Sequence, residues 1–153
     1  MKIMRYLLGA VMALAIVGCE PFEVEKKEYP TLTSLDNTLW YSYDNDEKIF
    51  YDITYGEEGR GEMKGYSDQE RTDLTIDRPF TYTFTPATAD VNAIVRVNFE
   101  DGQHYGGALM PKGYIQVNYI DVYFIQLYEV DEEGIPIKDA EGKYTSILQM
   151  WME

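Results

Sequence analysis

The chain has 153 residues, of which 45% are hydrophobic and 14 are tyrosine, and its formal net charge is −14; that size fits one domain. So acidic a balance excludes nucleic acid as a partner, because phosphates need a basic footprint. It also disfavours electrostatic adsorption to anionic lipid. A single His and a single Cys rule out an internal disulfide and all but rule out a histidine-based zinc site.

Lys2 and Arg5 form a positive start, and Leu7–Val17 is a short apolar run. A bilayer core needs about 20 helical residues, so residues 1–18 read as an export signal instead of a span. Their removal takes two of the 13 basic side chains and none of the 27 acidic ones, leaving −16. The signal ends Ile16-Val17-Gly18-Cys19. Small residues before the one Cys resemble the lipobox of bacterial lipoproteins. That resemblance implies cleavage before Cys19, diacylglycerol on its thiol, and attachment to a membrane through the lipid. Each buried CH₂ contributes about 0.8 kcal/mol, and stable anchoring takes more than one acyl chain.

Glu20–Pro30 is charged, contains two prolines and shows no period. Residues 19–34 therefore read as the lipidated Cys and an acidic tether. Acidic residues directly after the Cys resemble the surface-export signal of Bacteroidetes-type lipoproteins. The resemblance implies the outer membrane, with outward display expected and the periplasmic face as the alternative.

Residues 35–153 form the folded domain. Asp36–Tyr43, bearing Leu39 and Trp40, opens it as a strand, and Asp44-Asn45-Asp46 is a turn. Lys48–Tyr55 places Ile49, Tyr51, Ile53 and Tyr55 on one face. Gly56–Gly59 turns the chain, Gly61–Tyr66 is a further strand, and Leu74–Ile76 reads as a short edge strand. In Pro79–Thr85, Phe80, Tyr82 and Phe84 alternate with Thr81, Thr83 and Thr85, so aromatics face one way and hydroxyls the other. Val91, Ala93, Val95, Val97 and Phe99 repeat that pattern. Asp101-Gly102 signals a hairpin, followed by a strand over His104–Met110. In Tyr114–Tyr119, Ile115, Val117 and Tyr119 share one face, and Tyr114, Gln116 and Asn118 the other. Val122–Tyr128 is apolar on both faces except at Gln126, which predicts a strand covered on both sides or one that lies where a barrel closes. Asp131–Gly142 is a polar connection, and Tyr144–Trp151 is the last strand. Eight to ten short strands predict an all-β sandwich or barrel, and hairpin-length links favour an antiparallel up-and-down meander over a Greek key.

This order of features is a Trp-bearing first strand after a tether, then Phe80-Thr81-Tyr82-Thr83-Phe84, then Asn98-Phe99-Glu100-Asp101-Gly102 and Tyr105-Gly106-Gly107. It resembles the small lipocalin-like, calycin-type lipoproteins of Bacteroidetes over about residues 35–130. Thr38 stands where the lipocalin Gly-x-Trp has its glycine. The resemblance implies an eight-stranded barrel with an internal pocket and names no ligand.

The residues offer little for catalysis. His104 would be the one candidate base for a nucleophile triad, but it follows a turn and its nearest acid in sequence is Asp101. Glu129–Gly134 spaces oxygens like a calcium loop, yet Ala140 stands where the bidentate acid belongs. Asp44–Glu47 is a second acidic turn of the same kind. Neither a metal nor a cofactor is expected, and no phosphate loop or dinucleotide fingerprint occurs. Gly106-Gly107 reads as a bulge or barrel bend, or as a place where a ligand approaches the backbone closely. Among the aromatics Tyr41, Tyr51, Phe80, Tyr82, Tyr105, Tyr114 and Tyr123, the candidates for lining a ligand pocket are Tyr82, Tyr105, Tyr114 and Tyr123.

The expectation is a non-catalytic, lipid-anchored envelope protein whose barrel binds a small molecule, a glycan or another envelope protein. An accessory subunit with a filled barrel is the alternative, and a hydrolase the third reading. A contiguous cavity favours the first, and a packed core with an exposed aromatic patch the second.

Overall fold

A computed structural model describes residues 27–153. The export signal, Cys19 and the first part of the tether lie outside the described residues. Eight strands follow one another: β1 Thr38–Asp44, β2 Ile49–Tyr55, β3 Arg60–Tyr66, β4 Leu74–Thr85, β5 Ala93–Phe99, β6 His104–Val117, β7 Ile120–Val130 and β8 Ile147–Met152. Each pairs antiparallel with the next, and β8 returns to β1, so the meander closes into an eight-stranded barrel.

Alternation decides which side chains fill it. The pairings place Trp40 opposite Ile53, Ile53 opposite Met63, Phe80 opposite Phe99, Val97 opposite Tyr105, and Ile125 opposite Met150. Directly opposed residues share a face, so these form one inward set, and all of them are buried. Burying a side chain of this size contributes about 1.5–3 kcal/mol. Tyr55, Phe80, Tyr82, Phe99 and Tyr105 meet edge to face along the wall, the arrangement that aromatic quadrupoles prefer. Thr81, Thr83 and Thr85 point to solvent while Phe80 and Tyr82 are buried and Phe84 packs partly buried on the core.

Several elements differ from the sequence reading. Leu74–Ile76 is not a separate edge strand; it runs on through Pro79 as β4. Tyr82 donates its N–H to the Gly59 carbonyl on the β3 side, so by alternation position 79 faces the β5 side. Pairing with β5 begins only at Phe80, and the missing N–H of Pro79 therefore costs no ladder bond. Val91 is exposed and precedes β5, because residues 88–91 close a turn through Thr88 N–H to the Val91 carbonyl. Tyr119 is not a strand residue. Asn118 and Tyr119 form the two-residue turn between β6 and β7, both with positive φ (50° and 67°), as tight hairpins require. The last strand starts at Ile147 instead of Tyr144; Tyr144 stacks on Tyr128 within the preceding loop.

Gly106-Gly107 holds no bulge. Both residues stay in register with β5 and β7, and the irregularity lies between Met110 and Ile115. The requirement falls on Gly107, where a Cβ would stand 2.0 Å from the Gln126 carbonyl oxygen. At Gly107 it is the backbone of β7, and not a ligand, that approaches closely.

A meander has two poles. The β2–β3, β4–β5 and β6–β7 links share one with both ends of the described chain. The β1–β2, β3–β4, β5–β6 and β7–β8 links share the other. Residues 29–36 plug the first pole. Leu35 is fully buried and Leu32 packs on the core. Tyr123 donates its hydroxyl hydrogen to the Pro30 carbonyl at 2.6 Å, and Tyr29 bonds Asp121.

Candidate functional site

The second pole is open. A cavity of about 690 Å³ enters there, bounded by the β1–β2 turn, Phe99 and Tyr105, and Ser146–Gln149 at the start of β8. Its inner wall includes Tyr51, Met63, Arg78, Phe99 and Tyr105, all inward by register. It also reaches Ile115, Val117, Phe124 and Trp151. Those four face outward: Trp151 lies opposite Phe124, Ile115 opposite Val122, and Val117 opposite Ile120, out of phase with the inward Tyr123, Ile125 and Leu127.

Arg78 is the cation of this wall. Its guanidinium carbon sits 3.8 Å from the centroid of Phe99, a cation–π geometry. One terminal nitrogen donates to Asp101 Oδ2 at 2.6 Å and to Gln103 Oε1 at 2.7 Å. The same Asp101 accepts the Gln103 N–H, and that bond, with the nearby guanidinium, holds its carboxyl below the usual range. Arg78 is thus pinned against one wall with its charge already matched. Tyr51 stands across β3. Burial first, and the Asp44 carboxylate second, push its hydroxyl above the ordinary tyrosine range, so it remains a neutral donor at neutral pH. Tyr105 and Ser146 exchange a hydrogen bond of 3.0 Å between their hydroxyls. Asp44 Oδ1 accepts the N–H groups of Asp46 and Glu47, which shapes the turn at the rim.

The four tyrosines singled out from sequence are not brought together. Tyr105 lines the mouth. Tyr82 belongs to the plugged pole, where its hydroxyl donates toward Asp36 Oδ1 (2.5 Å) and the Gly56 carbonyl (2.6 Å); burial and the Asp36 carboxylate both raise its pKa. Tyr123 holds the tether at that same pole and borders a smaller space of about 450 Å³ walled by Tyr29, Leu32 and Leu109. Tyr114 is exposed on the β6–β7 arm. Tyr82 and Tyr123 hold the N-terminal segment because that segment inserts at their end of the barrel, an arrangement that no local pattern encodes.

His104 lies on the outer face, its Nδ1 2.8 Å from Asn98 Oδ1. Asp131 Oδ1 accepts the N–H groups of Glu133 and Ile135 and so caps its own loop. Among the described residues no three His, Cys, Asp or Glu side chains gather as a metal site. Comparison with family models, with curated proteins and with solved structures finds no match.

Proposed function

We propose that this is a lipid-anchored, non-catalytic envelope protein that binds its ligand at the open pole of the barrel. The observation that carries the reading is the contrast between the two poles. One is plugged by Leu32, Leu35 and the tyrosine bonds. The other holds a cavity of about 690 Å³ with aromatic walls and a few placed polar groups, which is the usual make-up of a binding site. The lipobox-like Ile16-Val17-Gly18-Cys19 supports the anchor, and the acidic residues after it support outer-membrane display. The aromatic and hydroxyl groups of the mouth suit a small molecule, a glycan or a segment of another envelope protein.

Native mass spectrometry of the full chain, isolated from its own envelope, tests this. The expected result is a bound species that disappears in Ser42→Trp, whose indole fills the mouth. A spectrum without any bound species, or one in which the species survives Ser42→Trp, would overturn the reading.

A further inference from the structure

The barrel is closed unequally. β1 pairs with β2 over seven positions and β8 with β7 over six, yet β1 pairs with β8 only at Tyr41 and Trp151. Backbone directions show what is left over. Gly56 donates its N–H to the Arg60 carbonyl across the β2–β3 turn. N–H direction alternates along a strand, so Tyr51, Ile53 and Tyr55 turn toward β1. Their partners Ser42, Trp40 and Thr38 turn toward β2. Tyr41 and Tyr43 therefore turn toward β8.

The same reasoning applies on the other side. Glu129 donates its N–H to the Ser146 carbonyl, so Leu148 and Met150, opposite Leu127 and Ile125, turn toward β7. Ile147, Gln149 and Trp151 turn toward β1. Tyr41 finds Trp151. Tyr43 should find Gln149 next, but the ladder holds no such pair. The cavity agrees independently. Its lining takes in the inward Tyr51 and Tyr105 and the outward Phe124 and Trp151 together with Ser42–Asp44 and Ile147–Gln149. A single space that touches both faces of the sheet runs along the β1 and β8 edges at these residues.

We infer that this seam takes an extended peptide by strand addition. The inference rests on the reading that the open pole binds a ligand. The edge positions of β1 and β8 beyond Tyr41 and Trp151 form no pair with each other, and the N–H and C=O groups of such edges match a polypeptide backbone. The alternate side chains of such a strand would meet Tyr51, Met63 and Leu148 inside and Ile115, Val117 and Phe124 outside, both apolar. At the rim, Asp44 and Asp46 line the entrance while Arg78 is already paired with Asp101. The unmatched charge of the mouth is negative, like that of the whole chain, so the peptide carries apolar residues flanked by Lys or Arg.

The probe is a phage-displayed library of random dodecapeptides selected on the full-chain protein in detergent. Enriched peptides are then synthesised with and without N-methylation at alternate residues. The expected result is enrichment of basic, β-branched or aromatic sequences, and at least a tenfold loss of affinity when one alternate set of amides is methylated. Ile147→Pro removes one seam-facing N–H at the first residue of β8 and leaves the β7 ladder intact; it should weaken the parent peptide by a similar factor at an unchanged thermal midpoint. If the variant does not fold, the methylated peptides on the wild-type chain decide alone. No enrichment, or peptides indifferent to methylation, would overturn the inference. A small molecule retained in native mass spectrometry would then leave the binding reading standing, whereas neither peptide nor small molecule would remove both.

Discussion

Gly61→Ala is expected to be among the costlier single-methyl additions in this barrel. A Cβ at position 61 would lie 2.2 Å from Phe80 Cε2, 2.3 Å from Phe80 Cζ and 2.7 Å from the Thr54 carbonyl oxygen. The phenyl ring cannot simply swing aside. Tyr55, Phe99 and Tyr82 hold it edge-on, with centroids 5.4, 5.6 and 6.4 Å away. Overpacking a filled core costs about 1–3 kcal/mol, and the confinement of Phe80 places this case near the upper end. For a chain of this size each kcal/mol lowers the thermal midpoint by about 2–4 °C, so a fall of roughly 6–12 °C is expected. The decisive measurement is a double-mutant cycle by urea denaturation. Phe80→Ala alone should cost about 3–5 kcal/mol, but it also vacates the space that the new methyl needs. The double variant should therefore be more stable than the sum of the singles implies, by about 1–3 kcal/mol. It should not regain the stability of Phe80→Ala, because the Thr54 contact persists. Additive effects would show that Phe80 does not fill the space over Gly61, and the inward register of β3 and β4 would be wrong.

Gly107→Ala should be worse than Gly61→Ala, since the opposing atom at 2.0 Å is the Gln126 carbonyl and not a side chain; a midpoint equal to wild type would refute the close approach of β6 and β7. The Asp121 carboxyl is held below its usual range, chiefly by the hydrogen bond from Tyr29 and then that from Gln116. A depressed folded pKa gives stability that is present above the unfolded value and lost as pH falls through the folded one. The decline should accordingly lie below about pH 4, and Asp121→Asn should flatten it in thermal melts between pH 6 and pH 2; an unchanged slope would show that Asp121 does not couple to folding. Cys19→Ala should abolish incorporation of radioactive fatty acid in cells, and equal labelling of wild type and variant would remove the anchor from the account.

The barrel was legible because its inward positions are marked. Ala93, Val95, Val97 and Phe99 alternate without interruption against exposed neighbours, and one buried face suffices to set register. The mouth was less legible. Arg78 stands two residues before Phe80 and shares its inward face, but Pro79 splits the run, so β4 reads as two pieces and Arg78 as part of a link. Only the direction of the Tyr82 N–H shows why the proline is harmless there. The Asn118-Tyr119 turn was hidden because a bulky aromatic with positive φ is unusual and the sequence offers no glycine at that point. The unequal pairing of β1 with β8 joins the first and last strands, and nothing local to either strand records it.

The plug at the closed pole also decides how the molecule can be handled and varied. The described chain enters beside Leu35, and β8 ends at Met152 on the same side, so an attachment made next to either of these points leaves the mouth unobstructed. A pull on the N-terminal segment is resisted first by the Tyr29–Asp121 and Tyr123–Pro30 bonds and then by Leu35 and the Tyr82–Asp36 bond, before β1 is drawn from its pairing with β2. The four links at the far pole carry none of that load. Their lengths and compositions can therefore change the shape of the mouth while the mechanical seat of the domain stays as it is.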